Sequence, residues 1–305
     1  MRVSAVLCTW NRAALLEGAL AALAAQDRPP SHEILIVDNA SRDRTSEVVS
    51  SAAARYPQIR YVYEPRQGLS HARNAALRQA RGALVLFTDD DVRVASDWMA
   101  RMTAAFDEWP DAACIGGPVL PEWPQPAPAW LTKDQWAPLG VQDHGAGPFR
   151  VDASRPVCLI GANVAFRRDV LEAMDGFNPL VQRVGDAGGT TEDHELHLRL
   201  WATGHHGMYD PRVRATALVL PQRLRKAHHR AWHFGHGRHV ARMRIPDMEQ
   251  TRAGRVFGVP AHVLRQAAED AWGCAASIAA GDAVRAFERE ARLWFTAGYL
   301  RERWI

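Results

Sequence analysis

Along the first hundred residues the apolar positions follow two alternating periods. VSAVLC (3–8), EILIVD (33–38), IRYVYE (59–64) and ALVLFT (83–88) are short, almost continuously apolar and rich in β-branched or aromatic residues. That is the pattern of strands buried on both faces. Between them, residues 12–26, 41–56 and 68–81 carry apolar residues at helical spacing. Strand and helix alternating through short links predict an α/β fold with a largely parallel sheet. Residues 96–109 predict another helix, 112–119 a strand, and 157–174 a strand, turn, strand and short helix. A helix is expected over 190–204, with a capping pattern from Thr190 to Asp193 and a stop at Gly204. Residues 121–140 hold five prolines and three tryptophans, which forbids a central strand or helix there. From about residue 222 the helical period runs to the end, broken near Pro246 and Gly258–Pro260.

Composition changes this picture little. The 305 residues are 47% hydrophobic and 23% charged, ordinary for a globular chain able to bury a large core. A net charge of +3 does not by itself imply nucleic acid. The charge is uneven, though. Residues 223–255 hold nine Arg or Lys against two acids, a block suited to phosphates, anionic lipid or a partner, or simply to a solvated helix face. The four cysteines are scattered without a CxxC pair, so a reducing cytoplasm is expected rather than a disulfide scaffold. The first apolar run ends at Asn11 and Arg12, too short for a signal peptide, and no run reaches the roughly 18 residues of a membrane span.

In a parallel α/β sheet, ligands meet the carboxyl ends of the strands. Thr9 to Arg12, Asp38 to Ser41, Glu64 to Gln67 and Asp89 to Asp91 all follow strands, so four segments converge on one edge. Hard divalent cations such as Mg²⁺ and Mn²⁺ favour carboxylate oxygens, and Mg²⁺ takes only one or two from the protein. On an extended chain Asp89 and Asp91 face the same way and Asp90 points aside; the alternative is an acidic turn. Asp38 can accept from a nucleobase or ribose, or form an Asx turn. Arg73 and Asn74 lie on the helix before the triple Asp, where Arg73 can pair with those acids or with a diphosphate. Glu192 and Asp193 open a helix, where an acid is either a cap or a placed general base. Nine of thirteen histidines lie between 194 and 239, with no HExxH and no accompanying cysteine, which argues against structural zinc. His228 is the candidate for a single histidine completing a Mg²⁺ or Mn²⁺ site. Trp130 and Trp136 of the Pro-rich segment are candidates to stack on a ligand, with core packing as the alternative.

The ordered segments VLCTWNRAALLEGALAAL, EILIVDNASRDRT, GLSHARNAAL, FTDDDVRV, GANVAFRR and TTEDHELHLRL resemble the family 2 glycosyltransferases over roughly residues 3–215. The resemblance implies the GT-A nucleotide-sugar-binding fold, a Rossmann-like mixed, mostly parallel sheet flanked by helices. It implies a catalytic domain over 1–220, with a donor half to about 118 and an acceptor half over 119–220, followed by a helical C-terminal region over 221–305. Thr9, Asn11, Arg12, Asp38, Asn39, Ser41, Arg73, Asn74, Asp89 and Asp90 then belong to the nucleotide-sugar site. Asp89 stands near the ribose and Asp91 on the Mn²⁺ or Mg²⁺. Asp193 matches the general base of an E-D pair with Glu192, and Gly161, Ala162 and Asn163 lie under the sugar and acceptor. The implied reaction is metal-dependent, inverting transfer of one sugar, from a UDP-sugar first of all, in polysaccharide, glycolipid or glycoconjugate synthesis. The processive QxxRW motif is absent: the nearest match is Gln222-Arg223-Leu224-Arg225-Lys226. A saccharide or lipid-linked acceptor, a cytoplasmic place and a peripheral membrane contact through the basic C-terminal helices are the corresponding expectations; a dimer is one option for the assembly. Two other readings stand beside this one. A sugar nucleotidyltransferase usually opens on a Gly-rich basic loop, where this chain has CTWNRA. A non-catalytic GT-A-like binding module has no need of both acid motifs. A dinucleotide oxidoreductase lacks its GxGxxG.

Overall fold

The computed structural model describes residues 1–185, 188, 189, 191–245 and 254–304. They form two compact units. The first comprises Met1–Glu122, Gly140–Gly185 and Glu192–Leu218; the second comprises Trp123–Leu139 and the described residues of Asp186–Thr191 and Val219–Ile305.

In the first unit, β1 (Val3–Thr9), β2 (His32–Asp38), β3 (Ile59–Tyr63) and β4 (Leu84–Asp89) are parallel neighbours in the order β3-β2-β1-β4. All of β1 is buried, which is why its apolar run shows no alternation. The helices α1 (Ala13–Ala24), α2 (Thr45–Arg55) and α3 (Leu69–Gln79) connect these strands. Past β4 come β5 (Val92–Val94), α4 (Trp98–Glu108), β6 (Cys114–Gly116), β7 (Val119–Glu122), β8 (Phe149–Val151), β9 (Asn163–Arg167), α5 (Arg168–Ala173), α6 (Glu192–Ala202), β10 (Gly207–Tyr209) and β11 (Ala215–Leu218). The main sheet continues from β4 as β9-β6-β10-β8, with β9 antiparallel to both its neighbours. A second sheet has the order β5-β11-β7.

Two predicted strands come out differently. The strand expected over 112–119 splits at Gly117–Pro118 between the two sheets, and the chain there passes so close to Val213 that a Cβ at Gly117 would lie 1.9 Å from its carbonyl oxygen. No strand forms over 157–162, where the Gly161 N–H is donated to a side chain, Asp193, instead of a ladder. Pro121 is accommodated on the edge strand β7.

In the second unit, α7 (Lys226–Met243) is followed by the hairpin β12 (Arg255–Val256) and β13 (Val259–Pro260), then α8 (Ala261–Ala279) and α9 (Ala283–Trp304). The expected break at Pro246 lies outside the described residues. α9 packs on both other helices. It approaches α7 closely: a Cβ at Gly298 meets the Phe234 carbonyl at 1.9 Å, and one at Gly237 meets that of Phe295 at 2.0 Å. Part of the basic block is neutralised inside the unit, since Arg238 and Arg242 both pair with Glu302 at 2.9 and 2.7 Å. No described helix is long and apolar enough to cross a membrane.

His229 is fully buried, and its Nε2–H donates to the Arg223 carbonyl at 3.0 Å. Burial pushes the His229 and His233 imidazoles down to about 4. The unfolded chain takes up these protons below about 6.5, and the folded chain only near 4. Their contribution to stability is therefore complete above about 6.5 and is lost as pH falls towards 4. Thermal melts from pH 7 to 4.5 are expected to show a smaller decline in His229→Leu than in the wild type; parallel curves contradict this account.

Candidate active site

The first loop, after β1, is tied to the loop after β2. Asn11, at φ 52°, donates its N–H to Ser41 Oγ at 2.9 Å and accepts from the Arg42 N–H at 2.7 Å. Parallel pairing sets Thr9 opposite Asp38 and Cys8 opposite Asp89, so the ends of β1, β2 and β4 are level. Asp38 accepts from the Ser41 N–H at 2.8 Å and from the Tyr61 hydroxyl at 2.8 Å. Tyr61 carried no signal in the sequence beyond its place on a strand.

The triple Asp does not stay extended. β4 ends at Asp89 and the chain turns through Asp90 and Asp91 into β5. Asp90 is therefore not set aside: it accepts from the Thr9 hydroxyl at 2.8 Å and from Arg12 at 3.0 Å. The same Arg12 nitrogen lies 3.3 Å from Asp91. Burial pushes the half-buried Asp89 up to about 6, with Asp91 and Asp90 adding to the rise and Arg73 and Arg183 opposing it.

On the other side of Arg73 stands the second acid pair. Arg73, 2% exposed, donates to Asp193 Oδ1 at 2.6 Å, while Gly161 N–H donates to Asp193 Oδ2 at 2.8 Å. Glu192 lies 3.7 Å from the same guanidinium and is itself 1% exposed. Burial, helped by Asp193, pushes the Glu192 carboxyl up to about 7. The aromatic rings of Phe177 and Phe87 flank the Arg73 guanidinium at 5.0 and 5.6 Å. Arg73 thus serves the acids rather than standing open for a diphosphate. Each Asp193 oxygen keeps a second lone pair for an incoming hydroxyl. The capping pattern expected to begin at Thr190 starts outside the described residues.

Several candidates are occupied internally. Asn39 bonds the carbonyls of Glu64 and Arg66 and accepts from Gly68, and Asn74 pairs with both backbone groups of Phe177. Asn163 is fully buried between Trp98, Pro118 and Val213, beside the buried Ala162. In the second unit, Trp130 packs on His229 and Phe287 with centroids at 4.9 and 4.4 Å. Trp136 meets Trp123, and His228 Nε2 is bonded to the Pro138 carbonyl at 2.8 Å. Sequence reasoning also missed Arg183, whose charge acts on both Asp89 and Glu192 and which lies in a segment without periodic pattern.

The edge of the sheet thus gathers Asp89, Asp90, Asp91, Glu192 and Asp193 around Arg12, Arg73 and Arg183. Among the described residues no three metal-ligating side chains converge. The oxygen donors Asp89 and Asp91 nevertheless suit a Mg²⁺ or Mn²⁺ ion that keeps its other positions for water and phosphate.

The family model for glycosyl transferase family 2 matches residues 4–174. The chain belongs to this family. The glycosyltransferase is 23% identical over 217 residues to the glucosyl-dolichyl phosphate glucuronosyltransferase of Haloferax volcanii, covering 70% of this chain and 68% of that one. It spans less than half the length of several other curated relatives it matches. Among solved structures, the mannosyltransferase PcManGT from Pyrobaculum calidifontis, in complex with GDP-Man and Mn²⁺, superposes with a TM-score of 0.67 at 23% identity, covering 99% of this chain and 87% of that one. TarS 1–349 of S. aureus with UDP gives 0.55 at 16% identity, covering 99% and 91%. The glycosyltransferase therefore has the GT-A fold, a mixed α/β sheet flanked by helices with a helical C-terminal extension.

Proposed function

We propose that this glycosyltransferase moves one sugar, with inversion, from a nucleotide-diphosphate sugar to an acceptor hydroxyl. The observation that carries this reading is the Asp193 carboxylate, held by Arg73 and Gly161 beside the Asp89–Asp91 turn. Asp193 takes the proton from the acceptor hydroxyl as that oxygen bonds to the anomeric carbon and the bond from carbon to phosphate oxygen breaks. Asp38, braced by Tyr61 and Ser41, reads the base, with Thr9, Asn11 and Arg12 lining the nucleotide end. Asp89 faces the ribose and Asp91 the cation. A Mn²⁺ or Mg²⁺ ion there supplies positive charge to the departing diphosphate. Arg183 adds to that charge from the protein side. UDP is the first choice of carrier and GDP the second. A saccharide or lipid-linked acceptor is proposed, the second supported by the lipid-phosphate name of the Haloferax relative. With a lipid-linked acceptor goes a peripheral membrane contact through the second unit.

Incubation with a panel of UDP- and GDP-sugars and Mn²⁺ tests the reading. Slow hydrolysis to free nucleoside diphosphate is expected. Release of sugar 1-phosphate instead means nucleotidyl transfer, and no reaction with any donor overturns the proposal. Asp91→Asn is expected to weaken Mn²⁺-dependent donor binding by at least about tenfold, the scale at which even outer partners of a metal site act. Asp90→Asn keeps the bond from Thr9 and is expected to cost less. Equal losses by titration calorimetry contradict the placement of the cation on Asp91.

A further inference from the structure

Gly18 sits inside α1, where alanine favours the helix more. What the missing side chain makes room for is Arg93: a Cβ at Gly18 would lie 2.7 Å from its Cζ and its Nε. Arg93 is the middle residue of β5, just past the triple Asp, and is half-buried. Its Nη2 donates to the Leu15 carbonyl of α1 at 3.3 Å. Its Nη1 donates to the Asp90 carbonyl at 3.3 Å and to that of Val92 at 3.0 Å. These bonds all go to backbone carbonyls. None goes to the carboxylates of Asp91, Glu122 and Asp90, whose charges oppose the downward push of burial on the guanidinium.

The carbonyls chosen define the role. β4 ends at Asp89 and β5 begins at Val92, so the Asp90 carbonyl belongs to the turn between the strands. A planar guanidinium carries donors on both arms and can serve two elements at once. Arg93 thereby ties the turn that holds Asp90 and Asp91 to the helix whose N-cap is Arg12. Arg12 in its turn reaches the carboxylates of Asp90 and Asp91 at 3.0 and 3.3 Å. The Asp91 carbonyl is held separately, by the Leu218 N–H of β11 at 2.8 Å. The backbone of the turn is therefore fixed at two successive residues, and the direction in which the Asp91 side chain leaves it follows from that fixing.

We propose that Arg93 is a positioning residue for the cation site: by holding the Asp90 carbonyl against α1, it aims the Asp91 carboxylate at a Mn²⁺ or Mg²⁺ ion. The proposal rests on the reading above that Asp91 meets the cation. It differs in sign from the effect of charge alone. As a bare positive charge near Asp91, Arg93 repels an incoming cation, and its removal strengthens metal binding. As a tether, its removal weakens metal binding.

Titration of the full chain with Mn²⁺, followed by the electron paramagnetic resonance of the free ion with UDP or GDP present, reads this affinity without turnover. Arg93→Met removes the fork and the charge together, and is expected to weaken Mn²⁺ binding by about tenfold or more. Gly18→Ala is the second variant. It keeps the arginine and its charge, displaces the tip from α1, and gives the helix a better helix former. A similar loss of Mn²⁺ affinity is expected in G18A, with a melting temperature close to that of the wild type, which separates a lost tether from a lost fold. Unchanged or tighter Mn²⁺ binding in R93M overturns the proposal. So does wild-type affinity in G18A, or a wild type that binds no Mn²⁺ with either nucleotide. Donor hydrolysis is measured on the same samples. Mn²⁺ affinity lost in both variants, with no hydrolysis of any donor by the wild type, leaves the positioning role standing and removes the transfer reading alone. Hydrolysis by the wild type with unchanged Mn²⁺ affinity in R93M does the reverse.

Discussion

Asp193→Asn is expected to lower turnover by about 10³-fold while leaving the donor dissociation constant little changed. The amide keeps the shape of the carboxylate, but only its oxygen accepts, so it keeps one of the two bonds that Arg73 and the Gly161 N–H make to Asp193 at 2.6 and 2.8 Å, and its NH2 faces the other donor. It cannot take a proton from an attacking hydroxyl. The loss therefore falls on kcat and not on donor binding, which is assigned to the ends of β1, β2 and β4. Folding also pays a share: Arg73 is left with Glu192 at 3.7 Å as its charged partner on this side, so a lower melting temperature is expected. Glu192→Gln serves as the contrast. Glu192 is 1% exposed and burial already favours its protonated form, with its carboxyl pushed up to about 7. Gln copies that neutral form, and a much smaller fall in kcat is expected. Full activity in Asp193→Asn, or an equal loss in the two variants, contradicts the assignment of the base.

The parallel half of the sheet was legible because β1, β2 and β4 are covered on both faces and leave unbroken apolar runs. The strands β5, β7, β8, β10 and β11 were not, because three or four residues are too few to show a period. Among site residues, those that end a buried strand were readable. Asp38 and Asp89 owe their position to the run before them. Partners set by tertiary contact were not. Tyr61 is a strand residue whose hydroxyl happens to reach Asp38, and Arg73 is 120 positions away from the acid it holds. Asn39, Asn74 and Asn163 looked like ligand contacts because they sit in the right segments. Their amides close buried backbone groups instead, a need that arises only after the chain has folded. The alternation argument for Asp89–Asp91 failed for a local reason, since it assumes an extended chain and the chain turns at Asp90.

Gly161→Ala is expected to cost about 10²-fold in kcat, through a side chain it does not itself carry. A Cβ at Gly161 lies 1.9 Å from Arg73 Nη2 and 2.6 Å from its Cζ. Elsewhere an arginine tip can swing away at little cost. Here it is pinned by Asp193, Glu192 and the rings of Phe177 and Phe87, and it is 2% exposed. Any shift of the guanidinium drags the Asp193 carboxylate with it, and the Gly161 N–H that holds the other oxygen moves as well. A displacement near 1 Å at the base is enough for the stated loss, whereas Asp38 and Asp89 keep their places and donor affinity stays close to that of the wild type. The two routes to a slower enzyme, lost folding and lost positioning, separate in a double-mutant cycle. Arg73→Ala removes the obstacle as well as the tether. If Gly161→Ala acts through Arg73, adding it to Arg73→Ala lowers kcat no further. A full additional 10²-fold loss in the double variant shows instead that Gly161 itself meets the substrate.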